Sequence, residues 1–215
     1  MFYSQSVLAL NIFKSLKILT KLQKYGLKYA HIDFADEIYT KNFGANYEMT
    51  SYLVKLFPNI EFDAHLMTKN PFEKIEKLVQ IGIKTIFIPI EFLTLEQLIF
   101  IKKQYPNINF GAMLQAHQEV QDFASIIAKI PIILVMTIDK IGGTGQPLNP
   151  KLLEKISQIR SLNSKIKVYS DGGLRKENWD LFEQFDVDVA IGGSIIFSYP
   201  NFSDFAKQWG SNDSN

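Results

Sequence analysis

Two histidines and two aspartates carry the chemistry that this sequence most clearly offers. His31 and Asp33 lie two positions apart in a short apolar run, and side chains at that spacing project from one face of a β-strand. His65 and Asp171 each stand where another apolar run stops. Imidazole and carboxylate groups at the ends of three strands predict a site for one divalent metal ion. The chain has only three histidines, and two of them belong to this set.

The composition restricts both the metal ligands and the partners. The 215 residues include no cysteine, so nitrogen and oxygen atoms must hold any metal. Zinc, iron, manganese and cobalt all accept such donors, so the composition leaves the identity of the metal open. Lys and Arg number 23 against 22 Asp and Glu, a net charge of +1, which gives no electrostatic reason to expect nucleic acid or an anionic membrane as a partner. No signal peptide or membrane span is visible, and we expect a cytoplasmic protein.

Short apolar runs alternate with amphipathic stretches eight times along the chain, which is typical of repeated strand-then-helix units. The predicted strands are residues 7–10, 29–34, 60–65, 84–90, 109–114, 132–137, 167–170 and 187–191. The predicted helices are residues 14–24, 47–57, 71–80, 120–129, 150–162, 177–185 and 202–209, with one more beginning at Thr94. Asn70 and Asn149, each followed by proline, are expected N-caps, and Thr94 with Gln97 predicts a capping box.

Eight such units predict an α/β fold, a closed (β/α)8 barrel in one domain over residues 1–215, with a fraying polar tail at 210–215. An open doubly wound sheet is the alternative, but no Gly-x-Gly-x-x-Gly motif follows the first strand. In such barrels the active site is built at the carboxyl ends of the strands. The four candidate metal ligands all fall at those ends. Taken singly, each has a purely structural interpretation as a buried histidine or a turn-forming aspartate.

Two glycine-rich loops predict a phosphate site. Gly172 and Gly173 follow the seventh predicted strand, and Gly193 and Ser194 follow the eighth, which is the usual phosphate-binding corner of this fold. Glycine lets backbone N–H groups approach an anion, and a helix N-terminus adds its dipole. Two tight turns that only need positive φ are the alternative. Arg175 either supplies a charge to this site or lies in solvent.

A third glycine-rich segment and two methionines are expected to complete the substrate site. Gly142, Gly143 and Gly145 follow the sixth predicted strand, in a segment whose length suits a lid over a ligand. An ordinary flexible loop is the alternative. Met67 and Met136 stand near strand ends, where they are expected to form an apolar floor.

The chain resembles the ribulose-phosphate 3-epimerase family over almost its whole length. The matching segments, in family order, are His31-Ile-Asp33-Phe-Ala-Asp36, Asp63-Ala-His65-Leu-Met67, Val135-Met136-Thr137, Asp171-Gly172-Gly173 and Gly193-Ser194-Ile-Ile-Phe197. The resemblance implies a barrel of the ribulose-phosphate binding type, a homo-oligomer, and metal-dependent inversion at C3 of a phosphorylated ketose. D-Ribulose 5-phosphate would give D-xylulose 5-phosphate.

The resemblance also implies roles for individual residues. His31, Asp33, His65 and Asp171 would bind the metal, and Asp33 and Asp171 would serve as the acid/base pair on opposite faces of the substrate. The loop glycines would hold the phosphate. A proton next to a ketone is too weakly acidic for a carboxylate alone, so the metal is expected to stabilise the enediolate.

Several positions depart from the family's pattern. The family's serine at the end of strand one is expected at Ala9, its strand-two methionine at Ala35, its strand-four histidine at Pro89 and its asparagine after strand five at Gln115. The lid segment that begins at Asp139 is one residue longer than in the family. These changes leave open an epimerase for another ketose phosphate, such as allulose 6-phosphate. They also leave open a sugar-phosphate-binding homologue without turnover.

Overall fold

Eight parallel strands close into a barrel in sequence order, with β1 hydrogen-bonded to both β2 and β8. This computed structural model describes residues 1–9, 11–36, 38–41, 44–142 and 145–209. The strands are β1 Phe2–Ser6, β2 Tyr29–Ala35, β3 Glu61–Met67, β4 Thr85–Pro89, β5 Asn109–Leu114, β6 Ile132–Met136, β7 Lys167–Asp171 and β8 Val189–Gly192. The predicted (β/α)8 barrel is confirmed.

Eight α-helices of the described chain follow the strands around the outside. They are α1 Ile12–Gln23, α2 Tyr47–Leu56, α3 Phe72–Ile81, α4 Leu95–Gln104, α5 Ala124–Ile127, α6 Glu154–Leu162, α7 Trp179–Gln184 and α8 Phe202–Trp209. Short 3-10 turns lead directly into three of them, at Val120–Phe123, Pro150–Leu153 and Lys176–Asn178, and two more follow β4 and β8, at Ile90–Phe92 and Ser194–Ser198. In the described residues, no helix has the length and apolar character needed to cross a membrane.

The core has two layers, as expected for this fold. A large apolar cluster lies between the strands and the helices. A smaller one, which includes Phe87, Met113, Leu134 and Tyr169, fills the interior of the barrel. The barrel interior is therefore filled with side chains, and in this fold ligands bind at the carboxyl edge of the strands.

The first strand was predicted wrongly. The apolar run at residues 7–10 suggested a strand, but β1 is the polar segment before it, Phe2–Ser6. Hydrogen bonding explains how polar side chains fit there: the Tyr3 hydroxyl lies 2.8 Å from Gln5 Oε1 and 2.7 Å from the Gly192 carbonyl oxygen, two acceptors for its one proton. Gln5 Nε2 donates to the Ser6 carbonyl at 2.8 Å. Because these groups satisfy one another, hydropathy alone does not identify the strand.

The other seven strands lie within two residues of their predicted ends, and two of the three predicted helix starts are confirmed. Thr94 and Gln97 form the capping box, and the Asn149 side chain accepts from the Lys151 N–H. The third start is wrong, because α3 begins after Pro71 without a side-chain cap. The polar tail at 210–215 lies outside the described residues, and the extent of the domain over 1–215 stays a prediction.

Candidate metal centre and phosphate site

The strand register brings the four predicted metal ligands together. Asp33 on β2 is the register partner of His65 on β3, and Asp171 ends β7 opposite Met136 on β6. One ligand atom from each of His31, Asp33, His65 and Asp171 lies within 4.8 Å of all the others. Among the described residues, this is the one group of three or more such side chains close enough to hold a metal ion.

The two aspartates face the two histidines across this small space. Asp33 Oδ1 lies 3.2 Å from His31 Nε2 and 3.2 Å from His65 Nδ1. Asp171 Oδ2 lies 3.8 Å from His31 Nε2 and 3.6 Å from His65 Nδ1. Both histidines are fully buried, whereas 23% of the Asp33 side chain and 18% of the Asp171 side chain are exposed. The aspartates thus reach the open side of the cluster.

The donor set fits a divalent ion. Neither ring nitrogen of buried His65 makes an aligned hydrogen bond in the described chain, although Nδ1 lies within ion-pair distance of two carboxylates. A buried polar atom without a partner is costly in free energy, and a cation between the imidazoles and the carboxylates would satisfy it. Two imidazole nitrogens and two carboxylate oxygens are a donor set that zinc and several other transition metals accept.

Asp63 is a further functional candidate that the sequence reasoning did not single out. Its carboxylate Oδ1 lies 2.5 Å from His31 Nδ1, and its side chain is 3% exposed. This contact leaves His31 Nε2 directed at Asp33 and Asp171. Metal-binding histidines regularly donate their second N–H to a carboxylate, which fixes the ring and its tautomer. The family-like segment that contains Asp63 was recognised, but its pairing with a residue on the neighbouring strand depends on register.

The electrostatics of the cluster favour cationic imidazoles beside carboxylates. Burial alone would lower the pKa of His31, but the carboxylates of Asp63 and Asp33 outweigh it and raise that pKa well above its usual value. Burial likewise opposes the raised pKa of His65, which results from Asp171 and Asp33. For Asp33, burial would raise the pKa, and the two histidines lower it well below its ordinary value.

A cavity of about 460 Å³ opens directly above the cluster. Its wall includes Asp33 and Asp171 together with almost all the residues predicted to contact substrate: Met67, Met136, Gly142, Gly145, Gly172, Gly173, Gly193 and Ser194. Gly143 lies outside the described residues. Both methionines lie in the wall of the cavity, and their role as an apolar floor for the substrate stays a prediction. The lid role of the segment after β6 stays a prediction.

The glycine loops after β7 and β8 are packed too closely for side chains. Gly173 has φ +76°, and a Cβ there would lie 2.5 Å from the backbone of Leu148. A Cβ on Gly193 would lie 2.0 Å from that of Ala9. In the described chain, the N–H groups of Gly173, Gly193 and Ser194 donate none of the turn or loop hydrogen bonds. Their donation to an anion in the cavity stays a prediction.

One of the predicted departures is wrong because the first strand was misplaced. β1 ends at Ser6, which lines the cavity, so a serine does stand at the end of strand one. Ala9 lies beyond the strand end and also lines the cavity. Ala35 lines it too, at the end of β2.

A polar network links three of the loops at this edge of the barrel. Glu91 accepts from the Tyr39 hydroxyl at 2.8 Å and from Gln118 Nε2 at 2.9 Å. Gln115 Nε2 donates to the Tyr39 hydroxyl at 2.6 Å. The ammonium of buried Lys155 donates hydrogen bonds to the carbonyls of Gln115, Ala116 and Gln118. Gln115, at the position where the family usually has asparagine, thus helps to hold the loop after β2. Lys155 fixes the loop after β5.

The fold and the site define a class of protein, namely a (β/α)8 barrel with a candidate metal centre beside a candidate phosphate site. The Ribulose-phosphate 3 epimerase family matches residues 3–197 of the chain. The chain belongs to this family, and it is an isomerase of the epimerase type.

Curated relatives agree with this assignment. The chain is 29% identical over 206 residues to the ribulose-phosphate 3-epimerase of Buchnera aphidicola, covering 93% of this chain and 90% of the relative. It is 24% identical over 183 residues to the same enzyme of Schizosaccharomyces pombe, covering 84% and 80%. A relative from Oryza sativa, 26% identical over 82% of this chain and 78% of its own length, is described as a cytoplasmic isoform.

Solved structures share the fold at lower identity. The 3-hexulose-6-phosphate synthase of Salmonella typhimurium superposes with a TM-score of 0.72 at 14% identity, covering 98% of this chain and 97% of that one. The 3-keto-L-gulonate-6-phosphate decarboxylase of Vibrio cholerae gives a TM-score of 0.68 at 14% identity, covering 98% and 95%. At these identities the likeness establishes the barrel fold.

Proposed function

We propose that this protein inverts C3 of D-ribulose 5-phosphate to give D-xylulose 5-phosphate. The proposal is based on the composition of one cavity. Asp33 and Asp171, two of the candidate metal ligands, line it, and the loops after β7 and β8 form part of its wall. A phosphorylated ketose has matching ends, a carbonyl and hydroxyl that a metal can bind and a phosphate that backbone N–H groups can hold.

The aspartates divide the proton transfer between them. They stand at the ends of β2 and β7, two strands that β8 and β1 separate in the closed barrel. One removes the C3 proton and the other delivers a proton to the opposite face of the same carbon, which inverts it. Their partial exposure into the cavity gives both access to the substrate, whereas His31 and His65 remain buried beneath.

The same four side chains would hold the divalent ion. When bound there, such an ion would supply positive charge for the oxygen on which negative charge develops as the C3 proton leaves. Zinc is our expectation, with iron, manganese and cobalt as alternatives. Met67 and Met136 keep that end of the cavity apolar and exclude water from the reacting carbon.

Ala35 favours a second candidate substrate, another ketose phosphate such as allulose 6-phosphate. The side chain lines the cavity at a position where the family usually has methionine, so the cavity has extra room for a longer sugar. A homologue that binds sugar phosphate without turnover is the third candidate. The homo-oligomer and the cytoplasmic location stay predictions.

Exchange of solvent deuterium into C3, followed by NMR, separates these candidates. The panel contains D-ribulose 5-phosphate, D-xylulose 5-phosphate and allulose 6-phosphate, with the metal content of each protein sample measured in parallel. Exchange and inversion fastest with the pentulose phosphates support the proposal. A preference for the hexulose phosphate supports the second candidate. Binding without C3 exchange in metal-loaded protein would overturn the proposed activity.

A further inference from the structure

A single cationic side chain lines the cavity of the described chain. The lining residues include Asp33, Asp171, two methionines, the glycine loops and Arg175, whose guanidinium contacts the carbonyls of two other lining residues, Leu174 and Gln146. Arg175 follows the Gly172-Gly173 pair by two residues, so it extends from the same loop that lines the cavity. The chain's other arginine, Arg160, is paired with Asp188 at 2.7 Å and lines a separate cavity elsewhere on the barrel.

The guanidinium of Arg175 has no carboxylate partner among the described residues. Its described hydrogen bonds run to two carbonyls, from Nη1 to Leu174 at 2.8 Å and from Nη2 to Gln146 at 3.4 Å. A guanidinium carries five N–H donors, so most of them remain for a ligand. No carboxylate of the described chain neutralises its positive charge. The two carbonyls hold the plane of the group between the loops after β6 and β7.

Hydrogen bonds also hold the backbone of Arg175 in place. Its N–H donates to Asn178 Oδ1 at 2.7 Å, and Asn178 Nδ2 donates to the Gly173 carbonyl at 2.9 Å. These two bonds tie the arginine to the glycine loop that precedes it. The guanidinium is therefore held in place before a ligand enters, which lowers the entropy cost of binding.

We propose that Arg175 binds the phosphate group of the substrate through its side chain, adding a charge-assisted contact to the backbone N–H groups of the glycine loops. This inference rests on the proposed function and deepens it by assigning a residue to the phosphate end. A phosphate dianion in a cavity that also contains two carboxylates needs a local positive charge, and a planar guanidinium matches its oxygens well. The assignment also predicts that this protein distinguishes phosphorylated from unphosphorylated ketoses more strongly than glycine loops alone would.

The test compares Arg175→Gln with wild type and with Lys176→Gln. Lys176 is the next residue, is exposed, and carries the same charge outside the cavity, so its variant controls for general electrostatics. Calorimetry would give the dissociation constants of a pentitol 5-phosphate and of the unphosphorylated pentitol, which bind without reacting. We expect Arg175→Gln to weaken the phosphorylated probe about 10- to 100-fold and to leave the unphosphorylated probe unchanged. Arg175→Lys should recover part of the loss.

Two results would overturn the assignment. One is a pentitol 5-phosphate affinity of Arg175→Gln within about twofold of that of Lys176→Gln. The other is an equal loss for both probes, which would mean that Arg175 only maintains the shape of the loops. If wild-type protein exchanges no C3 proton of any ketose phosphate, the proposed epimerase activity fails. The calorimetric comparison still decides the role of Arg175 in that case, because it needs no turnover.

Discussion

Asp63 lies directly beneath the candidate metal centre, with its Oδ1 2.5 Å from Nδ1 of His31. The two residues are register partners on β3 and β2. His31 uses its other nitrogen toward Asp33 and Asp171. The pair therefore sets both the orientation and the basicity of one of the two imidazoles, without Asp63 itself reaching the cavity.

Asp63→Asn should weaken metal binding while leaving all four candidate ligands in place. The amide still accepts a hydrogen bond from His31 but no longer supplies the negative charge that strengthens the imidazole as a ligand. We expect the metal dissociation constant to rise about 10- to 100-fold, measured by competition with a chromophoric chelator.

Asp122→Asn is the matched control, because Asp122 is exposed and lies outside the cluster. Its metal affinity should equal that of the wild type. Equal affinities for Asp63→Asn and Asp122→Asn would show that Asp63 does not act through His31.

Much of this site can be read from the sequence, because strand-end placement and period-two spacing are local properties. His31, Asp33, His65 and Asp171 were predicted as one cluster, and the register brings them together. The partnership of Asp63 with His31 could not be read in this way. It depends on which residues of β2 and β3 stand opposite each other, and a shift of one position would turn Asp63 to the other face.

The misplaced first strand shows a second limit of the sequence. Tyr3, Gln5 and Ser6 give β1 a polar composition, and the strand is stable because its side chains bond to one another and to the loop after β8. Hydropathy therefore favours the apolar segment that follows. The same error placed Ala9 at the strand end where the structure has Ser6. The serine that was predicted to be replaced is therefore present.

Asp171→Asn should abolish epimerisation while leaving the barrel folded. In a two-aspartate mechanism, Asp33 can still remove the C3 proton of one epimer and return a solvent proton to the same face. We expect deuterium exchange without inversion for one of the two pentulose phosphates and no reaction of the other. Because Asp171 is also a candidate ligand, metal content is measured in each sample. Substantial inversion by metal-loaded Asp171→Asn would remove Asp171 from the acid/base role.

The metal-free protein should lose stability as the pH rises above neutrality. His31 and His65 have pKa values raised on folding, against the effect of burial, by carboxylates. Such groups stabilise the folded state fully below their unfolded pKa of about 6.5, and this contribution is lost as pH rises through the folded pKa. Asp33 has a lowered pKa, so its contribution is present above about pH 4 and is lost as the pH falls through its folded value.

Urea unfolding of chelator-treated protein between pH 5 and 9 would measure this dependence. The free energy of unfolding should decline over the upper part of the range. Zinc-loaded protein should show no such decline, because the metal replaces the protons and binds better as they leave. A free energy that rises with pH in the metal-free protein would contradict the predicted charge state of the cluster.

Lys155→Met should destabilise the protein by about 1–3 kcal/mol, since it leaves buried carbonyls of the loop after β5 without their donor. The ammonium contacts three carbonyls, and the residue is 6% exposed. Lys151→Met, on the exposed side of the turn before α6, should change the free energy of unfolding by less than about 0.5 kcal/mol. Equal effects of the two substitutions on urea unfolding would mean that the buried ammonium contributes nothing to the fold.

Gly173→Ala should impair the phosphate site beyond the strain of its positive φ. Gly26 provides the matched control, because it has φ +78° and nothing within 4 Å of an added Cβ, whereas a Cβ on Gly173 at φ +76° would lie 2.5 Å from the backbone of Leu148. Gly26→Ala should therefore cost about 1 kcal/mol of stability through strain alone. Gly173→Ala must also displace the loop that faces the cavity, so its KM for a ketose phosphate should rise while that of Gly26→Ala stays at the wild-type value. A KM for Gly173→Ala equal to that of Gly26→Ala would show that the loop can move aside without affecting phosphate binding, and that its close packing serves the fold only.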